Sequence, residues 1–213
     1  MTKNKFIAQL SITFIPSCLV LGMVFIAKVT FQIPPSLLLR DIAAISGINP
    51  LSGVVSSIGI FFWWATATVC LFSAFTLQQF KSKRIFFFLL YSGVFSGFLA
   101  FDDFFMFHES LAPRYFKTSE IYILLVLVIA FVVYLFKFHK LILGSDYQFF
   151  LISIIFFGIS VALDIAYPKW IDMDIEWQIL YEDGFKWLGI TSWLSYFCYY
   201  SYGLFLNGLS RDR

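Results

Sequence analysis

Apolar residues run through this chain in six long stretches, each continuous rather than alternating with polar positions. They are Phe6–Val29, Val54–Leu77, Ile85–Phe107, Ile121–Phe138, Phe149–Tyr167 and Tyr181–Leu206. Each is close to the roughly 17–25 residues that a helix needs to cross a bilayer. Only helices or closed barrels satisfy the backbone in lipid, and a barrel strand would alternate, so these runs predict helices. The expected fold is an all-α polytopic membrane protein, a bundle of six transmembrane helices forming a single domain over residues 1–213. The first run is longer than a secretory h-region and lacks a small-residue cleavage site, which predicts an uncleaved first span.

The polar positions between the runs add detail. The longest connection, Thr30–Gly53, carries Pro34, Pro35, Gly47 and Pro50 around SLLLRDIAAIS. Turn residues at both ends of an apolar core predict a short interfacial or re-entrant helix between the first and second spans. Lys3, Lys5, Lys81, Lys83, Arg84, Lys137, Lys140, Arg211 and Arg213 fall on one side of the expected membrane. Lys28, Arg40, Arg114, Lys117, Lys169 and Lys186 fall on the other. The richer side is cytoplasmic by the positive-inside rule, so both termini are expected inside, in a bacterial inner (plasma) membrane.

Composition agrees with lipid as the solvent. The 213 residues are 60% hydrophobic, 22% aromatic and only 13% charged, where a soluble domain carries about 25% charged residues. Cys18, Cys70 and Cys198 sit singly inside apolar runs and read as packing residues. No Walker loop, GxGxxG, HExxH or GxSxG occurs, so nucleotide binding and the familiar serine and zinc hydrolases have no motif behind them. The basic residues are explained by topology, and no nucleic-acid partner is expected.

Acidic residues are distributed unevenly. Only Asp146 and Asp212 lie on the basic side, and the other carboxylates lie opposite. FDDFFMFHES, Phe101–Ser110, sets Asp102, Asp103, His108 and Glu109 inside a strongly aromatic segment. A charge at the centre of a span costs about 2.5–3.5 kcal/mol, so such groups are functional candidates. At about 1.5 Å per residue, Asp102 lies about 26 Å along the third span and Asp164 about 22 Å along the fifth. Both therefore approach the outer face, where Glu182 and Asp183 open the sixth span. Arg40 and Lys186 are the expected counter-ions, and KWIDMDIEW reads as a wet loop.

Helical spacing separates the four groups of the third span. Asp102 and Glu109 share a line, whereas Asp103 and His108 point about 100–120° away from it. All four can face one pocket only if the helix breaks before His108. Glu182 and Lys186 stand one turn apart, a favourable i,i+4 pair. Gly93 and Gly97 make a GxxxG face on the third span, and Gly189 with Ser192 and Ser195 makes a similar face on the sixth. Small faces of this kind admit close helix approach, so these two helices are expected to pack together.

Asp102, Asp103, Asp164, Glu182 and Asp183 are the expected ligands for a divalent cation or a polar substrate, with His108 and Glu109 moving protons. His139 lies in the basic loop, so a zinc site built on several histidines is excluded. The multi-span ceramidase-like hydrolases resemble the chain in size and in polar residues near a membrane face. Their several zinc-binding histidines have no counterpart here, and no family is assigned. The function expected first is metal-assisted hydrolysis of a lipid or lipid-linked substrate at the outer leaflet. A non-catalytic accessory or assembly subunit, docking a partner membrane protein or a second copy, is the alternative. A small proton- or cation-coupled transporter comes third, because the cytoplasmic half carries none of this chemistry.

Overall fold

A computed structural model describes residues 15, 18–19, 21–39, 42–78, 82–170 and 174–209, without the side chains of residues 44, 166–170 and 207–209. The described residues are helical and contain no strand. Two compact units, Met1–Val54 and Val55–Arg213, are taken separately.

In the first unit, α1 spans Leu21–Phe31. It holds most of the described residues of the expected first span and runs two residues past its expected end. The connection that follows is helical over its described stretches α2 (Pro35–Leu39) and α3 (Ile42–Ser46), where the short helix was expected. Pro35 opens α2, where its missing N–H is no loss. Gly47 follows α3 with φ +64°, the left-handed conformation that ends many helices. Arg40, the expected counter-ion, lies outside the described residues.

The second unit contains α4 (Val54–Leu77), α5 (Lys83–Phe105), a π-helical turn (Phe107–Leu111), α6 (Ala112–Phe116), α7 (Glu120–Leu143), α8 (Gln148–Trp170) and α9 (Ile175–Leu209). Among the described residues four helices, α4, α5, α7 and α8 over Gln148–Ile165, are long and apolar enough to cross a membrane. The expected sixth span lies within α9, whose first half carries Glu176, Glu182, Asp183 and Lys186. That helix begins at Ile175, two turns before the expected start. Asp174, read from sequence as wet loop, caps it: its Oδ1 accepts the Glu176 N–H at 2.9 Å.

Lipid offers helices no hydrophobic reason to associate, so close packing and interhelical hydrogen bonds must hold them. Helices α5 and α9 run antiparallel, with rungs about two turns apart. Lys186 meets Asp103 at 2.8 Å, Trp193 Nε1–H donates to Ser96 Oγ at 3.0 Å, and the Tyr200 and Phe88 rings lie 5.2 Å apart. Tyr91 donates to the Ala130 carbonyl at 2.9 Å, and Ser92 and Tyr134 hydroxyls meet at 2.9 Å, joining α5 to α7. Around these bonds Phe88, Tyr134, Trp193 and Phe197 form a fully buried aromatic core. Helix α7 leaves most of its apolar length uncovered, with 11% of it buried.

The glycines admit close neighbours, but not each other. A Cβ on Gly93 would lie 2.7 Å from Leu71 Cγ and one on Gly97 3.7 Å from Ala67 Cβ, so this face meets α4. A Cβ on Gly189 would lie 2.7 Å from Phe157 on α8. Helices α5 and α9 do touch, through Ser96 and Trp193 rather than through paired glycines. Overpacking typically costs about 1–3 kcal/mol. Gly93→Ala and Gly189→Ala should therefore each destabilise by about that amount in thermal unfolding of the detergent-solubilised protein. Gly97→Ala, at ordinary contact distance, should lose nothing. Equal losses at all three positions would contradict this packing.

Candidate functional site

The site is built where α5 stops. Met106 takes φ 46° and ψ 50°, the left-handed conformation, and its N–H returns to the Asp102 carbonyl. A non-glycine residue in that region costs of order 1–3 kcal/mol and persists only where its surroundings enforce it. The chain then turns through the π-helical Phe107–Leu111, with the Leu111 N–H reaching the Met106 carbonyl at 3.1 Å. Phe107 folds back onto α5, its ring 5.7 Å from that of Phe101.

The break lies before His108, the condition under which His108 can face Asp102. Asp102 Oδ1 accepts the His108 backbone N–H at 3.0 Å, and Oδ2 lies 2.6 Å from His108 Nδ1. An ionised carboxylate only accepts, so Nδ1 carries the proton and Nε2 is the free nitrogen of the neutral ring. Nε2 points toward Glu109, 3.6 Å from its Oε1. Burial grades outward along this line: the Asp102 side chain is 4% exposed, His108 14% and Glu109 53%.

Asp103 points elsewhere and binds two other helices. Lys186 Nζ of α9 lies 2.8 Å from Oδ1, and Trp63 Nε1–H of α4 donates to Oδ2 at 3.1 Å. One carboxylate thus ties α4, α5 and α9 together. Lys186 makes this bond rather than the expected pair with Glu182. Trp63 has no signal in the sequence beyond the general rule that a buried indole N–H seeks an acceptor; its partner lies forty residues away.

The other expected residues stand apart. Asp164 and Asp183 are exposed, and Glu182 is half-buried within electrostatic reach of both. All four oxygens of Asp102 and Asp103 already accept a hydrogen bond. Among the described residues no group of three or more His, Cys, Asp or Glu is placed to hold a metal ion. The geometry therefore gives no support to a shared coordination site. What it builds is an aspartate–histidine pair beside a separate interhelical clamp.

A family model described as "Domain of unknown function (DUF8692)" matches residues 15–200. The chain belongs to this family. The match covers the Asp102–His108 pair and both clamp partners of Asp103, and the family description assigns no activity to them. No curated protein and no solved structure matches the chain.

The hydrogen bond that His108 donates to Asp102 pushes its imidazole above the ordinary range against the effect of burial, and the charges of Asp102, Glu109 and Glu120 push the same way. A pKa raised on folding contributes stability that is full below the unfolded value of about 6.5 and disappears as pH rises through the folded value. The Tm advantage of wild type over Asp102→Asn should accordingly be largest below about pH 6.5 and shrink above it. A gap independent of pH from 5 to 9 would show that the charged imidazole does not matter to the pairing.

Proposed function

We propose that the protein is a six-span membrane protein with both termini in the cytoplasm, and an enzyme acting by general acid–base catalysis at the outer leaflet. His108 is the group that accepts and returns the proton, on a lipid or lipid-linked substrate. The observation that carries this reading is the two-point hold of Asp102 on His108 through Nδ1 and the backbone N–H. A general base needs a fixed ring, a fixed tautomer and a pKa near the working pH. A buried carboxylate on Nδ1 supplies the first two and stabilises the imidazolium formed on proton uptake. Nε2 then abstracts a proton from water or a substrate hydroxyl, and Glu109, at 3.6 Å, stabilises the charged ring while it holds that proton.

Asp103, Lys186 and Trp63 act at a distance from that proton, by fixing α4, α5 and α9 around the end of α5. The basic excess at the opposite end supports the orientation, and the aromatic, lipid-facing surroundings support a hydrophobic substrate. The uncovered length of α7 favours a second reading, a non-catalytic subunit that covers this surface with another membrane protein.

The test is turnover of phospholipids, diacylglycerol and nitrophenyl acyl esters and phosphates by the purified protein, and by right-side-out vesicles without permeabilisation. Loss of a general base costs typically about 10²–10⁴-fold, so His108→Gln should fall by that factor with folding intact. Asp102→Asn should fall less. Full turnover by His108→Gln would overturn the assignment, and turnover only after permeabilisation would reverse the orientation. No turnover of any substrate by wild type would favour the second reading.

A further inference from the structure

A groove of about 370 Å³ opens where α5 begins, the α7–α8 turn passes and α9 runs by. Ile85 and Asp102 stand at opposite ends of α5, so it lies about 26 Å from the Asp102–His108 pair. Its walls are of two kinds. Ile85, Leu141 and Leu204 are apolar, whereas Lys140, Tyr199 and Tyr200 bring a basic and two phenolic residues to the lining. Tyr196 closes one side and is already engaged: Ser145 Oγ donates to the Ile142 carbonyl at 2.7 Å, so its hydroxyl accepts from Tyr196 at 2.9 Å. One carboxylate, Asp146, also lines the groove.

The charge around it is basic. Arg84 Nη2 reaches the Lys137 carbonyl at 3.3 Å, which draws the cation at the start of α5 toward the end of α7, where Lys137 and Lys140 lie. Lys83 opens α5 beside Arg84. Among the described residues at this end, Asp146 is the one carboxylate against these. The α7 flank is uncovered and apolar, so a molecule in the groove has Lys140 in its lining, further cations nearby and hydrocarbon at its side. A soluble anion would use only the first of these surfaces.

We propose that this groove binds the phosphate headgroup of an anionic phospholipid, with Lys140 as the principal cation and Ile85 and Leu204 against the start of its acyl chains. Basic pockets between spans at a membrane surface take anionic headgroups in this way, each surface cation contributing about 1 kcal/mol. The inference rests on α5, α7 and α9 being embedded in lipid and is independent of the chemistry assigned to His108.

Binding is measured on the full-length protein in detergent, by native mass spectrometry and thermal shift with added phosphatidylglycerol, phosphatidylcholine or inorganic phosphate. Phosphatidylglycerol should bind more tightly than phosphatidylcholine, and Lys140→Ala should weaken it about fivefold. Gly203 lines the groove, and a Cβ there meets nothing within 4 Å. Gly203→Leu should therefore fill the space, keep every charge, leave the lipid-free Tm unchanged and abolish the preference. Equal binding of the two lipids, or a preference untouched by Gly203→Leu, would overturn the proposal. An equal thermal shift from inorganic phosphate would assign the groove to a free anion instead. None of these outcomes alters the turnover expected of His108, since the two sites lie at opposite ends of α5.

Discussion

The carboxylate of Asp102 holds together two things that the backbone alone would separate. One oxygen accepts the N–H of His108 at 3.0 Å, in the manner of a helix cap, and the other fixes the imidazole at 2.6 Å. Between the two residues the chain leaves the α-helix at Met106, in a conformation that a side chain resists. The bonds to Asp102 and the return of Phe107 onto Phe101 stabilise that turn. Neither partner would find the other on a continuous helix, where residues six apart project about 120° apart. The strained turn is therefore the condition for the pair, and the pair is part of what sustains the turn.

The neighbouring carboxylate does different work with the same chemistry. Asp103 accepts from Trp63 and Lys186, and so joins three helices at the end of the bundle where α5 breaks. Deeper in the bundle that task passes to uncharged groups, the Trp193–Ser96 and Ser92–Tyr134 bonds, where an ion would be more expensive. The rungs between α5 and α9 thus grade from an ion pair through an indole–hydroxyl bond to a ring–ring contact. Such a ladder fixes register as well as contact, and it places Lys186 opposite Asp103 rather than one turn away beside Glu182.

Much of the helical layout was legible in the sequence because length and apolar continuity are strong constraints in lipid. Val54–Leu77 has the same limits in both, and α5, α7 and α8 differ from the expected spans mainly at their ends. The end of α5 was the harder feature. No glycine or proline stands at Met106, and spacing could say only what a break would permit. The GxxxG of Gly93 and Gly97 announced a close neighbour without naming it, and the neighbour is α4. The acidic residues looked like one cluster because depth alone cannot tell a paired carboxylate from an exposed one. Asp102 and Asp103 are paired, whereas Asp164 and Asp183 are open to the surroundings.

The chain has two histidines, which makes the central pairing directly observable. In protein labelled with ¹⁵N at histidine, His139 serves as the internal reference. Both rings place Nδ1 against an oxygen, His108 against Asp102 at 2.6 Å and the exposed His139 against the Phe136 carbonyl at 2.8 Å, and the structure predicts a strongly deshielded, exchange-protected ring proton for His108 alone, which Asp102→Asn abolishes. The His108 titration should lie above the ordinary histidine range. A His108 imidazole that titrates at the ordinary value, with no protected Nδ1 proton, would contradict the pairing and with it the function built upon it.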